Sequence, residues 1–385
     1  MGDANCKNYG VPLYGVSWVP PADESSGDGS PSISHDSSLV LFAGGGGDGR
    51  NGIPNALLLA RFDFTSNSLS DQPVAKLETG ADLPYRMAVH PGGDGVICSF
   101  LPKSCRRFKW ETVGSDAQKL NLKQSDKVIN QLEDIGQQLA LKFNNDGSVL
   151  ALGGEDGMLR VFKWPSMEII LDEIILDEDN SDASVKDLDF SPDGKFLVSV
   201  SGSKKKKVRS GGPGRVWDLA SSSLVATLPK EQDDDFGFCR FSHSDNNPVL
   251  YITSMRGQGG NIVRWETSSW TRVSTKQVVR DQVCAFNVSA DGKLLAVGTN
   301  KGDVLIINST NMHVQNAVRK AHLGSVTALM FSGDSRALVS ASFDSSARVT
   351  VIKDAKKNGF SLWMVVFVIL LAIAAYYLKT QGILH

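Results

Sequence analysis

The sequence predicts an all-β fold, a ring of seven small antiparallel sheets, joined to one membrane-spanning helix at the C-terminal end. Three features predict it. A strand, turn, strand pattern recurs along most of the chain, aspartate-bearing turns fall at a nearly constant interval, and an uncharged apolar stretch occupies residues 360–378.

The repeat is clearest in LALKFNNDGSVLALGGEDGMLRVFKW, from Leu139 to Trp164. Further copies read VKDLDFSPDGKFLVSVSG with RVWDL, FCRFSHSDNNPVLYITS with NIVRWE, FNVSADGKLLAVGTNKGDVLII, and VTALMFSGDSRALVSASFDSSARVTVI. Weaker copies precede them at MAVHPGGDGVICSF with RRFKWE, and at YGVSWV, SLVLFAGG and ALLLARFD. The turn aspartates are Asp36, Asp94, Asp146, Asp193, Asp245, Asp291 and Asp334. Their spacing of about 50 residues is that of WD-repeat-like propeller blades. Arg215-Val-Trp217-Asp218 is the one nearly standard WD ending, and Ala321-His322 the best match to the usual Gly-His. Phe143, Phe190, Phe241, Phe286 and Phe331 are read as recurring at one place in each unit, which suits packing between blades. The propeller is expected to fill residues 1–352. Its last blade shows only three good strands, and Met1 to Asn8 make a poor fourth, so the closure of the ring stays open.

Composition limits the function classes. Forty Lys and Arg against 42 Asp and Glu leave a net charge of −2, no global reason to expect nucleic acid. Cys6, Cys98, Cys105, Cys239 and Cys284 stand singly without a CxxC pair, which indicates neither zinc nor a disulfide framework and points to a reducing compartment. The N-terminal residues lack the basic start and apolar stretch of a secretory signal.

From Phe360 to Leu378 the chain reads FSLWMVVFVILLAIAAYYL. As a helix this spans about 28 Å of hydrocarbon, with Trp363, Tyr376 and Tyr377 at its rims. Lys353, Lys356 and Lys357 make residues 353–359 a short basic stem, and only Lys379 follows the span. Basic flanks favour the cytosol, so the propeller is expected there and the tail 379–385 in the lumen. The acceptor patterns at Asn287 and Asn308 would then stay unglycosylated.

Loops carry whatever chemistry a propeller has. Asp23 to Ser38 and Leu176 to Ser184 read as solvated connections, polar and acidic respectively. Lys204 to Arg209, KKKKVR, is either a solvated hairpin or a contact for anionic lipid headgroups. The six histidines, His90 and His243 among them, show no repeated pairing with nucleophile or carboxylate motifs, so a hydrolase finds little support.

The fourth loop, Gly44 to Asn55, holds six glycines in twelve residues. Gly44, Gly46 and Gly49 satisfy GxGxxG, but Pro54 and a strand follow where a dinucleotide site needs a helix. A phosphate loop needs Lys then Ser or Thr, where Arg50 and Asn51 stand. No nucleotide or other small-molecule substrate is expected. Such backbone can turn its carbonyls inward, as a hard cation requires, or be a floppy linker.

GGGGDGRNGIPN, the preceding YGVPLYGVSW, the blades and the C-terminal anchor together resemble the SEC-twelve-like proteins, plant members in particular. These are endoplasmic-reticulum exchange factors for the Sar GTPase of COPII coats. The resemblance implies a cytosolic propeller anchored in that membrane by a single span. It further implies that Asp48, Gly49, Arg50, Asn51, Gly52, Ile53, Pro54 and Asn55 engage the GTPase, with Asn55 essential to exchange. A potassium ion would be held by the backbone of Gly44, Gly45, Gly46, Gly47, Asp48 and Gly49 and the side chain of Asn55. The alternative is a non-exchanging adaptor that helps cargo such as phosphate transporters leave the endoplasmic reticulum. Those relatives lack the loop, which this chain keeps.

Overall fold

The computed structural model describes residues 3–20, 37–47, 52–102, 104–112, 120–126, 129–175, 183–203, 212–231, 234–242, 248–257 and 259–352. Within them lie seven antiparallel sheets, the blades of a propeller. Blades one to six span residues 13–80, 83–124, 138–175, 183–228, 235–279 and 283–318. The first carries an extra short strand at Ser68–Leu69. The last strand of the propeller ends at Val351. Among the described residues no helix is long and apolar enough to cross a membrane; the expected span, stem and tail at 353–385 lie outside them.

The seventh blade settles the closure. Val326–Phe331, Ala337–Ser342 and Ser346–Val351 are its first three strands, and Cys6–Asn8 is the fourth. Cys6, Lys7 and Asn8 pair antiparallel with Arg348, Ala347 and Ser346. Asn5 extends the seam, its Nδ2 donating to the Val349 carbonyl at 2.9 Å and its own carbonyl accepting from Val349 N at 2.9 Å. An outermost strand buries neither face fully, so it needs no apolar alternation, and the segment therefore reads poorly as a strand in the sequence.

The turn aspartates Asp94, Asp146, Asp193, Asp291 and Asp334 each join the first and second strands of a blade; Asp36 and Asp245 lie outside the described residues. In three blades the turn repeats one arrangement. Ser191, Ser289 and Ser332 donate through Oγ, each at 2.6 Å, to Asp193, Asp291 and Asp334. Although partial burial alone would raise these carboxyls, the Ser bonds, the backbone N–H two residues on and a neighbouring base hold them below the ordinary range. Such Asx geometry fixes the turn locally, which is why the repeat is visible in the sequence.

The buried phenylalanines follow with one correction. Phe143, Phe190, Phe241 and Phe331 stand opposite Leu150, Leu197, Leu250 and Leu338. In the sixth blade Val288 takes that place opposite Leu295, and Phe286 lies two residues earlier, opposite Val297. Both are buried on the same face because strand side chains alternate with period two. Polar staples also link neighbouring first strands: Lys142 pairs with Asp189, Lys186 with Asp235, and Arg240 with Asp187. His90 is structural as expected, its Nε2 meeting the Gly147 carbonyl at 3.1 Å and its ring lying edge-on to Phe143.

His322, in the Ala321-His322 match, is 2% exposed at the entry to the seventh blade. Its ring nitrogens face Ser346 Oγ at 2.6 Å and Ser340 Oγ at 2.7 Å, with Asp344 Oδ1 3.9 Å from Nδ1. Sequence reasoning missed this cluster, although the Gly-His-like signal marks it. With imidazole and hydroxyls all buried, no substrate reaches it, and it acts as a brace. Burial pushes the imidazole down to about 4 against the pull of Asp344. The Asp344 carboxyl, which burial alone would raise, is held down to about 2 by donors on Ser346 and Leu323.

Deleting residues 1–8 should remove the seam and leave Ser346–Val351 as a bare edge, a loss of about 3–6 kcal/mol from several backbone hydrogen bonds. A lower, broader thermal transition with aggregation would show it, and an unchanged melt would contradict it. His322 folds neutral with a pKa below its unfolded value near 6.5. Its contribution is therefore full above about 6.5 and lost as pH falls from there to about 4, by about 3 kcal/mol. The Asp344 contribution is lost only below about 3.8, towards about 2. Urea denaturation at pH 7, 5.5 and 4.5 should show this decline in the wild-type chain and a shallower one in His322→Gln.

Candidate functional site

Strand alternation places inter-blade connections and second-to-third connections at one end of the ring, here called the loop end. The first blade is built from Leu13–Trp18, Ser37–Gly44, Asn55–Asp63 and Ala75–Gly80. Its second and third strands pair in unbroken register from Ser37 with Asp63 to Gly44 with Ala56. Buried runs Leu39 to Ala43 and Ala56 to Ala60 make this hairpin a rigid stalk. The glycine-rich loop caps it at the loop end.

The base of the loop is specified by close approach. A Cβ on Gly44 would sit 2.3 Å from the Pro12 carbonyl oxygen, and Gly45 N donates to that same oxygen at 2.9 Å. Gly45 has φ +153°, and a Cβ there would lie 2.2 Å from Asn55 Oδ1. Only glycine allows the two strands of the loop to meet so tightly.

Asn55 fills the space this leaves and is 2% exposed. Its Oδ1 accepts from Gly47 N at 3.0 Å. Its Nδ2 donates to the Gly47 carbonyl, and also faces the carbonyls of Gly80 at 3.0 Å and Ala81 at 3.2 Å. One side chain thus ties the loop to itself and to the connection entering the second blade. Three carbonyl oxygens converge on a group with two protons, so the positive end of the amide is fully used.

Of the sequence-predicted site residues, the structure brings together Gly44, Gly45, Gly47 and Asn55, with Gly46, Gly52, Ile53 and Pro54 beside them in the loop. Asp48, Gly49, Arg50 and Asn51 lie outside the described residues. Sequence reasoning missed the anchors Pro12, Gly80 and Ala81. Pro12 falls inside YGVPLYGVSW, the motif beside the loop, whereas Gly80 and Ala81 carry no signal. The basic segment Lys204 to Arg209 lies outside the described residues, and its flanks Ser203 and Gly212 are at the loop end. Among the described residues no group of His, Cys, Asp or Glu is placed to hold a metal ion. The oxygens at the loop base are main-chain carbonyls and one side-chain amide, and Asn55 Oδ1 and the Gly47 carbonyl bond N–H groups within the loop.

Blades of this order with Trp217 Nε1 donating to Ser199 Oγ at 3.0 Å, and His322 bonded to serines of its own blade, define a WD-repeat propeller whose candidate site is a loop. The WD domain, G-beta repeat family matches residues 175–210 and 314–350. The chain is 48% identical over 375 residues to SEC12-like protein 2 of Arabidopsis thaliana, covering 94% of this chain and 91% of that one. It is 31% identical to SEC12-like protein 1 of the same plant, over 84% and 78% of the two chains. It is 23% identical to the guanine nucleotide-exchange factor SEC12 of Rattus norvegicus, over 76% and 78%. The chain belongs to the SEC12-like proteins.

Gly45→Ala should force Asn55 from its place at a cost of about 1–3 kcal/mol, confined to the loop. Hydrogen exchange of peptides covering 44–55 should quicken at least tenfold while the other six blades stay protected. Unchanged protection would show that the loop base does not depend on this contact.

Proposed function

We propose that the chain is a non-covalent guanine-nucleotide exchange factor that activates a Sar-type small GTPase at the endoplasmic-reticulum membrane, the first step of COPII vesicle formation. The observation that carries this reading is the glycine-rich hairpin fixed by the buried Asn55 at the loop end. It is supported by relatives named guanine nucleotide-exchange factor SEC12. The anchor at 360–378 belongs to the same reading and would concentrate the propeller where the GTPase acts.

The chemistry needed is differential binding. A partner that binds the nucleotide-free GTPase more tightly than the GDP-bound one shifts the population, and a lower barrier between them raises the release rate. A hundredfold acceleration requires about 2.7 kcal/mol of preference for the transition state. A stalk of paired strands with a pinned loop supplies this without reordering on contact, since the entropy of the loop base is already lost on folding.

Potassium belongs to the same proposal. The carbonyls and amide of Gly44 to Gly47 and Asn55 would hold it, with Asp48 and Gly49 in the same loop. Bound there, it would supply positive charge to the carbonyl oxygens of the loop. The residues of the chain do the rest: Asn55 and Pro12 fix the loop base, and Gly52 to Pro54 return it to the strand.

The test is release of a fluorescent GDP analogue from purified Sar-type GTPase. The wild-type chain should accelerate it, and Asn55→Ala should be slower by at least tenfold, about 1.4 kcal/mol, with the melting temperature checked alongside. Replacing potassium by choline should slow release severalfold. Equal slow release with wild type and variant would instead favour the non-exchanging adaptor for cargo such as phosphate transporters.

A further inference from the structure

Eight large apolar side chains are well exposed among the described residues. Six of them, Val74, Ile169, Leu224, Val225, Val273 and Val314, lie on or beside outermost strands around the rim, where isolated apolar residues are ordinary. The other two, Leu323 at 92% and Phe343 at 51% exposure, stand together at the loop end.

Their display is enforced. The Asp344 carboxylate accepts from Leu323 N and, at 3.2 Å, from Gly324 N, while Phe343 N donates to the Ser325 carbonyl at 3.3 Å. The entry to the seventh blade and its second-to-third connection are thereby locked to each other. The backbone that carries Leu323 and Phe343 is held at the surface by these bonds.

The patch continues towards the glycine-rich hairpin. The Phe343 ring meets Tyr14 edge-on at 5.2 Å, and Tyr14 meets Tyr85 at 5.9 Å. Arg86 lies over the Tyr85 ring at 4.6 Å and donates to the Tyr14 carbonyl at 2.9 Å. Tyr14 is two residues from Pro12, which accepts from Gly45 N, and Ala81, bonded to Asn55, leads into the strand of Tyr85. The apolar surface and the hairpin base therefore share one backbone framework across the seventh, first and second blades. This is the end opposite Val351, where the last strand of the propeller finishes.

We propose that Leu323, Phe343, Tyr14 and Tyr85 form the docking surface on which the small GTPase seats, beside the hairpin. The inference rests on the exchange reading above and adds a division of labour to it. A preorganised apolar patch fits the apolar side chains of switch segments, which are released when no γ-phosphate orders them. Contacts of this kind are made before and after GDP leaves, so they set affinity. The hairpin, acting at the nucleotide, sets the rate.

The test uses the full-length chain in detergent micelles with GDP-loaded Sar-type GTPase. The double variant Leu323→Asn with Phe343→Asn should raise the half-saturating concentration about tenfold, the size expected of two central apolar contacts, with the maximal rate within twofold of wild type. Val273→Asn, a rim control, should match wild type in both. An unchanged half-saturating concentration in the double variant, with its melting temperature preserved, overturns the docking surface and leaves the exchange reading intact. Loss of binding to protein-free liposomes without a change in half-saturation assigns the patch to lipid and overturns it also. A wild-type chain that fails to accelerate release removes the exchange reading and this inference together.

Discussion

The structure depends on one pairing between residues far apart in the chain, the strand Cys6–Asn8 against Ser346 to Arg348. The bond from Asn5 to Val349 crosses 344 positions. Closing so long a loop costs only modestly more than closing a short one, because the entropy grows with the logarithm of length. What the pairing secures is the contact between the first and last blades. Trp18 Nε1 donates to the Met330 carbonyl at 3.1 Å, Thr327 Oγ1 to the Leu13 carbonyl at 2.6 Å, and Phe42 and Phe62 share a core with Val339 and Val349. The blade that carries the hairpin is thus held on the closure side by the chain's own N-terminal segment.

Two connections at the loop end are pinned by a polar side chain, buried at Asn55 and half-buried at Asp344. Asn55 joins the hairpin to the inlet of the second blade, and Asp344, braced by His322 and Ser346, joins two connections of the seventh. A buried polar group is costly unless every bond is made, and here the partners are backbone N–H, carbonyl or hydroxyl groups supplied by neighbouring segments. The consequence is a loop end whose base is ordered before any partner arrives. The strands remain occupied with packing, so recognition is left to connections.

Much of the fold was legible because its signals are local. The Ser-x-Asp turns at Asp193, Asp291 and Asp334 act over two residues, and the alternation of buried side chains over a strand, so seven blades could be counted from the chain. The same locality explains the misplacement of Phe286. Spacing within one strand shows which face a side chain takes, but the opposite residue decides its level, and Val288 holds that level. Cys6–Asn8 was illegible as a strand because an outer edge imposes no pattern of its own. In the site, the glycines and Asn55 stood out by composition, whereas Gly80 and Ala81 offer only carbonyls, which every residue has.

The sequence by itself determined the all-β repeat, the glycine-rich hairpin between two apolar strands and the apolar stretch at 360–378, since each is written in neighbouring residues. Only the tertiary structure decided that the ring closes through Cys6–Asn8, that Asn55 is buried among carbonyls of its own loop and of the segment leaving the first blade, and that Leu323 and Phe343 face solvent beside the hairpin. Those outcomes depend on groups brought together from distant parts of the chain, and propensity and spacing carry no record of a partner that folding alone supplies.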